Sequence, residues 1–317
     1  MNNVVLFVNS REKACGVHQF FYRLTKPMMT SIKYQCYYID PDQEWEFNHW
    51  VTQLNPTIIV YNFYFSGQQM PWLTSDIIRR NRESGRKQLC IHHEGSVLDK
   101  GFDMILHQDP FNTDPQYFNL SRPIPEYHNT HCTNDKVTIG SFGFGLGGKG
   151  FGRLVETVCN EFDTAHIKLS IPFAHFGDPT GTGATWWANH ARSLLTKPGI
   201  TLNITHNLMP ENELLDFLAS NDMNCFLYDG NGGRGISGTT DYALAVYRPI
   251  AITMSDQFKH LWKQDDSFVV EKHSLREILQ RGNTPLDKFR AMWSTDKLVD
   301  SFEQAFNLIL GKESIWL

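Results

Sequence analysis

The 317-residue chain is most informative first in what it lacks. No stretch approaches the roughly 18 to 20 apolar residues that cross a membrane as a helix, so no integral membrane segment is expected. There is no excess of basic charge: the net charge is −5, which argues against a broad surface for nonspecific nucleic-acid binding. The six cysteines stand at 15, 36, 90, 132, 159 and 225 without a C-x-x-C pair, which gives no zinc or redox motif. Cys36, Cys90 and Cys225 sit inside apolar runs and read as buried thiols of a reducing compartment. The thirteen histidines show no metal-ligand spacing. The start, "MNNVVLFVNSREKACGVHQFF", has too short an apolar run and no basic segment for a signal peptide. Cytoplasmic placement is the expectation. No low-complexity segment and no internal repeat is evident.

What is present is a chain with 41% hydrophobic and 20% charged residues, enough to bury sizeable cores. Short apolar runs alternate with segments of helical spacing. Strands are expected at 2–9, 34–40, 57–63, 87–93 and 102–108, with helices between them. Apolar strands separated by helices imply a parallel sheet covered on both faces. The polar, proline-broken stretch 119–135 reads as a linker. The alternation then restarts with a strand at 136–144 and further strands in "HIKLSIPFA", "ITLNITHN", "NCFLYD" and "RPIAIT". The fold class is therefore α/β, with two Rossmann-like domains over 1–133 and 134–317. The last helix is free to cross back to the first domain.

Three strand-to-helix turns carry glycine, and such turns offer backbone amides and a positive dipole end to an anion. The first turn is "REKACGVHQFF", with Gly16. The second is "GSFGFGLGGKGFGRL" (140–154), with Gly147, Gly148, Lys149 and Arg153. It lacks the Ser or Thr that a P-loop places after Lys149, since Gly150 stands there. It matches the dinucleotide pattern at Gly143, Gly145 and Gly148, but the next strand lacks the expected acid. What remains is a glycine loop with two nearby cations, suited to a diphosphate. The alternative is that Lys149 and Arg153 are solvated charges. The third turn follows "NCFLYDG". Gly235, Ile236, Ser237, Gly238 and Thr239 lead into a helix with Asp241 one turn inside. Amides and hydroxyls there suit phosphate oxygens, and Asp241 suits the two hydroxyls of a ribose, or else simply favours the helix start.

Taken together, these residues resemble the GT-B glycosyltransferases, specifically the retaining group that uses nucleotide sugars. The resemblance runs over most of the chain and rests on "IGSFGFGLGGKGFGRLVE" and "GRGISGTTDYALAVYRPIAIT". It implies two facing domains with a cleft between them, and a donor bound mainly to the second. Lys149 and Arg153 would neutralise the departing diphosphate without a metal or other cofactor. A UDP-sugar is the favoured donor. The family pairs two acids across seven intervening residues. The second falls on Asp241 and the first on Gly233, which has no side chain. Asp229 or Arg234 could take over that contact. The family also carries a histidine after the fourth strand of the first domain, where "CIHHEGS" offers His92, His93 and Glu94. Strand alternation sends His92 and His93 to opposite faces. His93 and Glu94 join the catalytic candidates.

The acceptor implied is a hydroxyl of a glycan, a lipid-linked glycan, a protein or a modified DNA base. Tyr61, Phe63, Tyr64, Phe65 and Trp72 are candidates to stack on it, or else are core. Two other readings are kept open, a non-catalytic binder of a nucleotide sugar or glycan and a GT-B epimerase.

Overall fold

The computed structural model describes residues 3–11, 15–63, 70–93, 101–129, 133–174, 177–230 and 235–312. The chain divides into two compact units, Met1–Pro123 with Met292–Leu317, and Ile124–Ala291.

In the first unit, β1 (Asn3–Val8), β2 (Tyr34–Ile39), β3 (Ile58–Phe63), β4 (Lys87–His92), β5 (Met104–His107) and β6 (Tyr117–Asn119) form a parallel sheet in the order β2-β1-β3-β4-β5-β6. The sequence explains why both faces are covered. Val5 and Phe7 enter one apolar cluster, while Leu6 and Val8 enter another. Ile58 and Val60 alternate with Ile59 and Tyr61 in the same way. Strands apolar at every position cannot leave a face in water. Helices α1 (Gly16–Thr25), α2 (Glu44–Leu54) and α3 (Ser75–Glu83) connect the early strands. Local signals fix their ends. Thr74 Oγ1 accepts from the Ile77 amide at the start of α3, and Asn55 closes α2 in the left-handed region at φ 41°.

β6 was not expected. Its three residues lie in polar sequence and join the sheet only by pairing with β5. The proline-broken stretch beyond it begins within this unit: Leu120 lies in the core cluster and Arg122 is fully buried.

In the second unit, β7 (Thr138–Phe142), β8 (Ala165–Ser170), β9 (Ile200–Thr205), β10 (Met223–Phe226) and β11 (Ile250–Ile252) form a parallel sheet in the order β11-β10-β7-β8-β9. Helices α4 (Phe151–Glu161), α5 (Thr182–Ser193), α6 (Glu211–Ala219) and α7 (Thr239–Ala245) link these strands. The short α8 (Lys259–Trp262), α9 (Leu275–Arg281) and α10 (Asp287–Met292) follow. The chain winds outward through β8 and β9, then returns to place β10 on the other side of β7. The switch point is therefore between β7 and β10, where open α/β sheets bind ligands at the strands' carboxyl ends.

The last helix, α11 (Thr295–Ile309), packs on the first unit. Its Leu298, Phe302, Ala305 and Phe306 complete the cluster that contains Phe7 and Phe21. Phe302 meets Phe7 edge to face at 5.6 Å. The five described cysteines are free thiols, four of them buried. Among the described residues, no helix is long and apolar enough to cross a membrane.

Candidate functional site

The glycine loop leaves β7 at the switch point and is held by close backbone packing. A Cβ at Gly145 would lie 2.2 Å from Ala184 Cα on α5, and one at Gly150 would lie 1.8 Å from Leu227 O at the end of β10. Gly150 has φ +68° as well, so only glycine serves there. The Asp229 amide donates to Gly148 O at 3.0 Å and ties the loop to the segment after β10. Residues 148–150 and 227–229, far apart in sequence, are thereby one structure.

The two expected cations differ in state. Arg153, in the first turn of α4, pairs with Asp229 at 2.5 Å, each side chain being about half exposed (44% and 48%). Its charge is already matched. Lys149 is half-buried, and its ammonium lies over the Tyr228 ring, 4.1 Å from the centroid. It makes no ion pair or hydrogen bond with any described residue. A ring face attracts a cation without neutralising it, so Lys149 keeps its charge for an incoming anion. Gly147 is exposed beside Trp187, and Gly148 has φ +81°.

One anion position near the loop is taken by the chain itself. Asp178 Oδ2 accepts from the Ala184 amide at 2.9 Å, at the start of α5. The amides of Ala184, Gly183 and Thr182 hold its carboxyl below the usual range. The sequence signal, an aspartate six residues before Ala184, has the wrong spacing for a simple helix cap and was missed.

The third turn is less open than expected. The Ser237 amide donates to Gln257 O at 3.0 Å, and the Thr239 amide reaches Ser237 Oγ at 3.4 Å. Ser237 Oγ and Thr239 Oγ1 are 3.0 Å apart. Gly235 is half-buried, Ile236 is buried, and Gly238 precedes α7. Asp241 sits in the first turn of α7 and is fully buried, not on an exposed face. Gly233 and Arg234 lie outside the described residues.

In the first unit, Gly16 is exposed at the start of α1, with no atom of a described residue within 4 Å of a Cβ built there. His93 is buried at the end of β4 inside a chain of amides. Backbone groups fix the direction of every link. Asn9 Oδ1 accepts from the Ser10 amide, so Asn9 Nδ2 faces His18 O. Asn62 Nδ2 donates to Asn9 Oδ1 and Val17 O, so Asn62 Oδ1 faces His93 Nε2 at 2.5 Å. That nitrogen must carry the hydrogen. Gln108 Nε2 donates to His92 O and His93 O and lies 3.3 Å from His93 Nδ1. A proton on Nδ1 would set donor against donor. Burial, aided by His92 and Arg122, lowers the His93 pKa to about 3. The ring is therefore neutral, with both nitrogens engaged inside the unit. Its neighbour His92 is half-buried and packs with His107 and Tyr117. Glu94 lies outside the described residues.

Of the aromatic candidates, Tyr61 is fully buried and donates to Gln88 Oε1, and Trp72 stacks on Phe47 in the core. Tyr64, Phe65 and the Phe63 side chain lie outside the described residues. Among the described residues, no group of three His, Cys, Asp or Glu is placed to hold a metal ion.

No protein-family profile and no curated protein sequence matches the chain. Solved structures do. Alr3699/HepE of Anabaena, crystallised with UDP and glucose, is 7% identical, with a TM-score of 0.64 over 97% of this chain and 100% of that one. A glycosyltransferase from Rickettsia africae ESF-5 is 8% identical, with a TM-score of 0.66 over 98% and 100%. The sucrose-phosphate synthase of Thermosynechococcus elongatus is 9% identical, with a TM-score of 0.65 over 98% and 100%. At such identities the likeness carries the fold, and the fold of this chain is the pair of Rossmann-like domains of the GT-B glycosyltransferases.

Proposed function

We propose that this chain is a glycosyltransferase that moves a sugar from a nucleoside diphosphate sugar to a hydroxyl acceptor. The donor is a UDP-sugar, the anomeric configuration is retained, and no metal takes part. The observation that carries the reading is Lys149, a half-buried cation without a counter-charge among the described residues, at the switch point of the second sheet. In sugar transfer the bond from the anomeric carbon to the diphosphate breaks, and charge builds on the departing phosphate oxygen. A cation fixed beforehand beside that oxygen stabilises the transition state more than the ground state. Alr3699/HepE has also been crystallised with UDP-glucose, which supports UDP as the first donor base to test. The acceptor is a hydroxyl of a glycan, a lipid-linked glycan or a protein.

The decisive screen is a thermal melt with UDP, GDP, ADP and CDP. A ligand at 100 times its dissociation constant stabilises the fold by about 2.7 kcal/mol. At least one of the four should do so, and UDP first. A chain that responds to none of them is not a nucleotide-sugar enzyme.

Gly233, standing where the family has an acid, favours a second reading, a binder that holds the donor without turning it over. Incubation with nucleotide sugars separates the readings. Slow release of free sugar belongs to a transferase, an isomerised sugar to an epimerase, and tight binding with no turnover on any acceptor to the binder.

A further inference from the structure

A buried hydroxyl without a partner calls for a cause, and the second unit has one beside Lys149. Tyr228 is fully buried and its hydroxyl has no hydrogen-bond partner among the described residues. The side chain is well held. Thr253 Oγ1 donates to Tyr228 O at 2.6 Å, and the ring packs against Phe258 at 4.7 Å between centroids. The hydroxyl points to the start of the glycine loop: a Cβ at Gly143 would lie 3.6 Å from the Tyr228 hydroxyl, 3.7 Å from Lys149 Cδ and 3.7 Å from Phe151 Cζ. Gly143, Lys149 and Tyr228 thus border one spot at the carboxyl ends of β7 and β10. Among the described residues, two groups of the Lys149 and Tyr228 pair have unused hydrogen-bonding capacity: the Lys149 ammonium over the Tyr228 ring, with three donors, and the phenol at the edge of that ring, with one. A ligand that satisfies both brings acceptor oxygens and negative charge.

We propose that Tyr228 is a donor-site residue with two tasks: its ring holds the Lys149 ammonium beside the loop, and its hydroxyl donates to a diphosphate oxygen of the bound nucleotide sugar. The inference rests on the donor-site reading above. It explains why an aromatic, rather than an acid, lies under Lys149. Asp229 neutralises Arg153, whereas the Tyr228 ring positions Lys149 and leaves its charge available.

The test is calorimetric titration with UDP, or whichever of the four nucleoside diphosphates shifts the wild-type melt, alongside its parent nucleoside. Tyr228→Phe keeps the ring and removes the hydroxyl. It should weaken diphosphate binding about tenfold, the range for a hydrogen bond to a charged group, leave nucleoside binding unchanged, and not lower the ligand-free melting point. Tyr228→Leu also removes the ring and should weaken diphosphate binding further. In a Lys149→Ala background, the Leu and Phe variants should bind alike. Equal diphosphate affinity for wild type and Tyr228→Phe overturns the hydroxyl's role and assigns it to a buried water. Equal losses for nucleoside and diphosphate overturn the proposal in favour of general distortion. A wild-type protein that binds none of the four overturns the donor-site reading, and this proposal with it.

Discussion

Lys149 and Arg153 stand four residues apart in sequence and carry the same charge, yet their surroundings assign them unequal work. Lys149→Ala should lower the rate of sugar transfer by at least about 10²-fold, as expected for losing a preorganised charge beside the leaving group. Arg153→Ala should cost less, because Asp229 already balances that charge. Steady-state rates of the two variants with one donor test the order, and equal losses would refute it. His93 makes a second case. Its neutral ring with hydrogen on Nε2 should persist in ¹⁵N spectra from pH 8 down to pH 5. The stability consequence has a definite sign. An unfolded histidine takes its proton near 6.5 and the folded one only near 3, so the unfolded state binds more protons between those values. This contribution is complete above pH 6.5 and is lost as the pH falls toward 3. The neighbours that add to the effect of burial are His92 and Arg122. His93→Gln should flatten that part of a stability-against-pH curve, and an unchanged slope would count against the assignment.

Among the elements, the glycine loop is the one whose shape is set by contact. Gly150→Ala combines a left-handed backbone with a clash against Leu227 O. It should destabilise the second unit by about 2 kcal/mol or more. Gly230→Ala, with no atom of a described residue within 4 Å, should stay within about 0.5 kcal/mol. Urea melts of the two variants compare them directly. The loop itself was legible in the sequence, since glycines after an apolar run and before a helix have few other uses. The long apolar strands were legible for the same reason, their burial on both faces. β6 was not, because three residues in polar sequence carry no period. Nor was Tyr228, which ends an apolar run and reads as core. Its relation to Lys149 exists only because β10 returns to pair with β7. The Arg153–Asp229 pair, 76 residues apart, and the Asp178 carboxylate at α5 depend on folded geometry in the same way.

For the whole molecule, chain order and contact order disagree. Residues 1–123 and 292–317 group together, and 124–291 group among themselves. Phe302 and Phe306 of α11 fill the same apolar cluster as Phe7, Phe21 and Val60. A chain ending at 291 should therefore retain a protease-resistant second unit, while its first unit is cleaved. Limited proteolysis of that fragment shows which holds, and a resistant first unit would mean that α11 is dispensable.

The placement of α11 also bears on the order of events at the ribosome. Synthesis proceeds at about 5–20 residues per second, and domains fold as they emerge. The second unit has all its residues before α11 is made. The first unit, though its strands emerge earliest, keeps an apolar face around Phe7 and Phe21 uncovered until then. The half that begins first is completed last, and in the interval that apolar face is left to water.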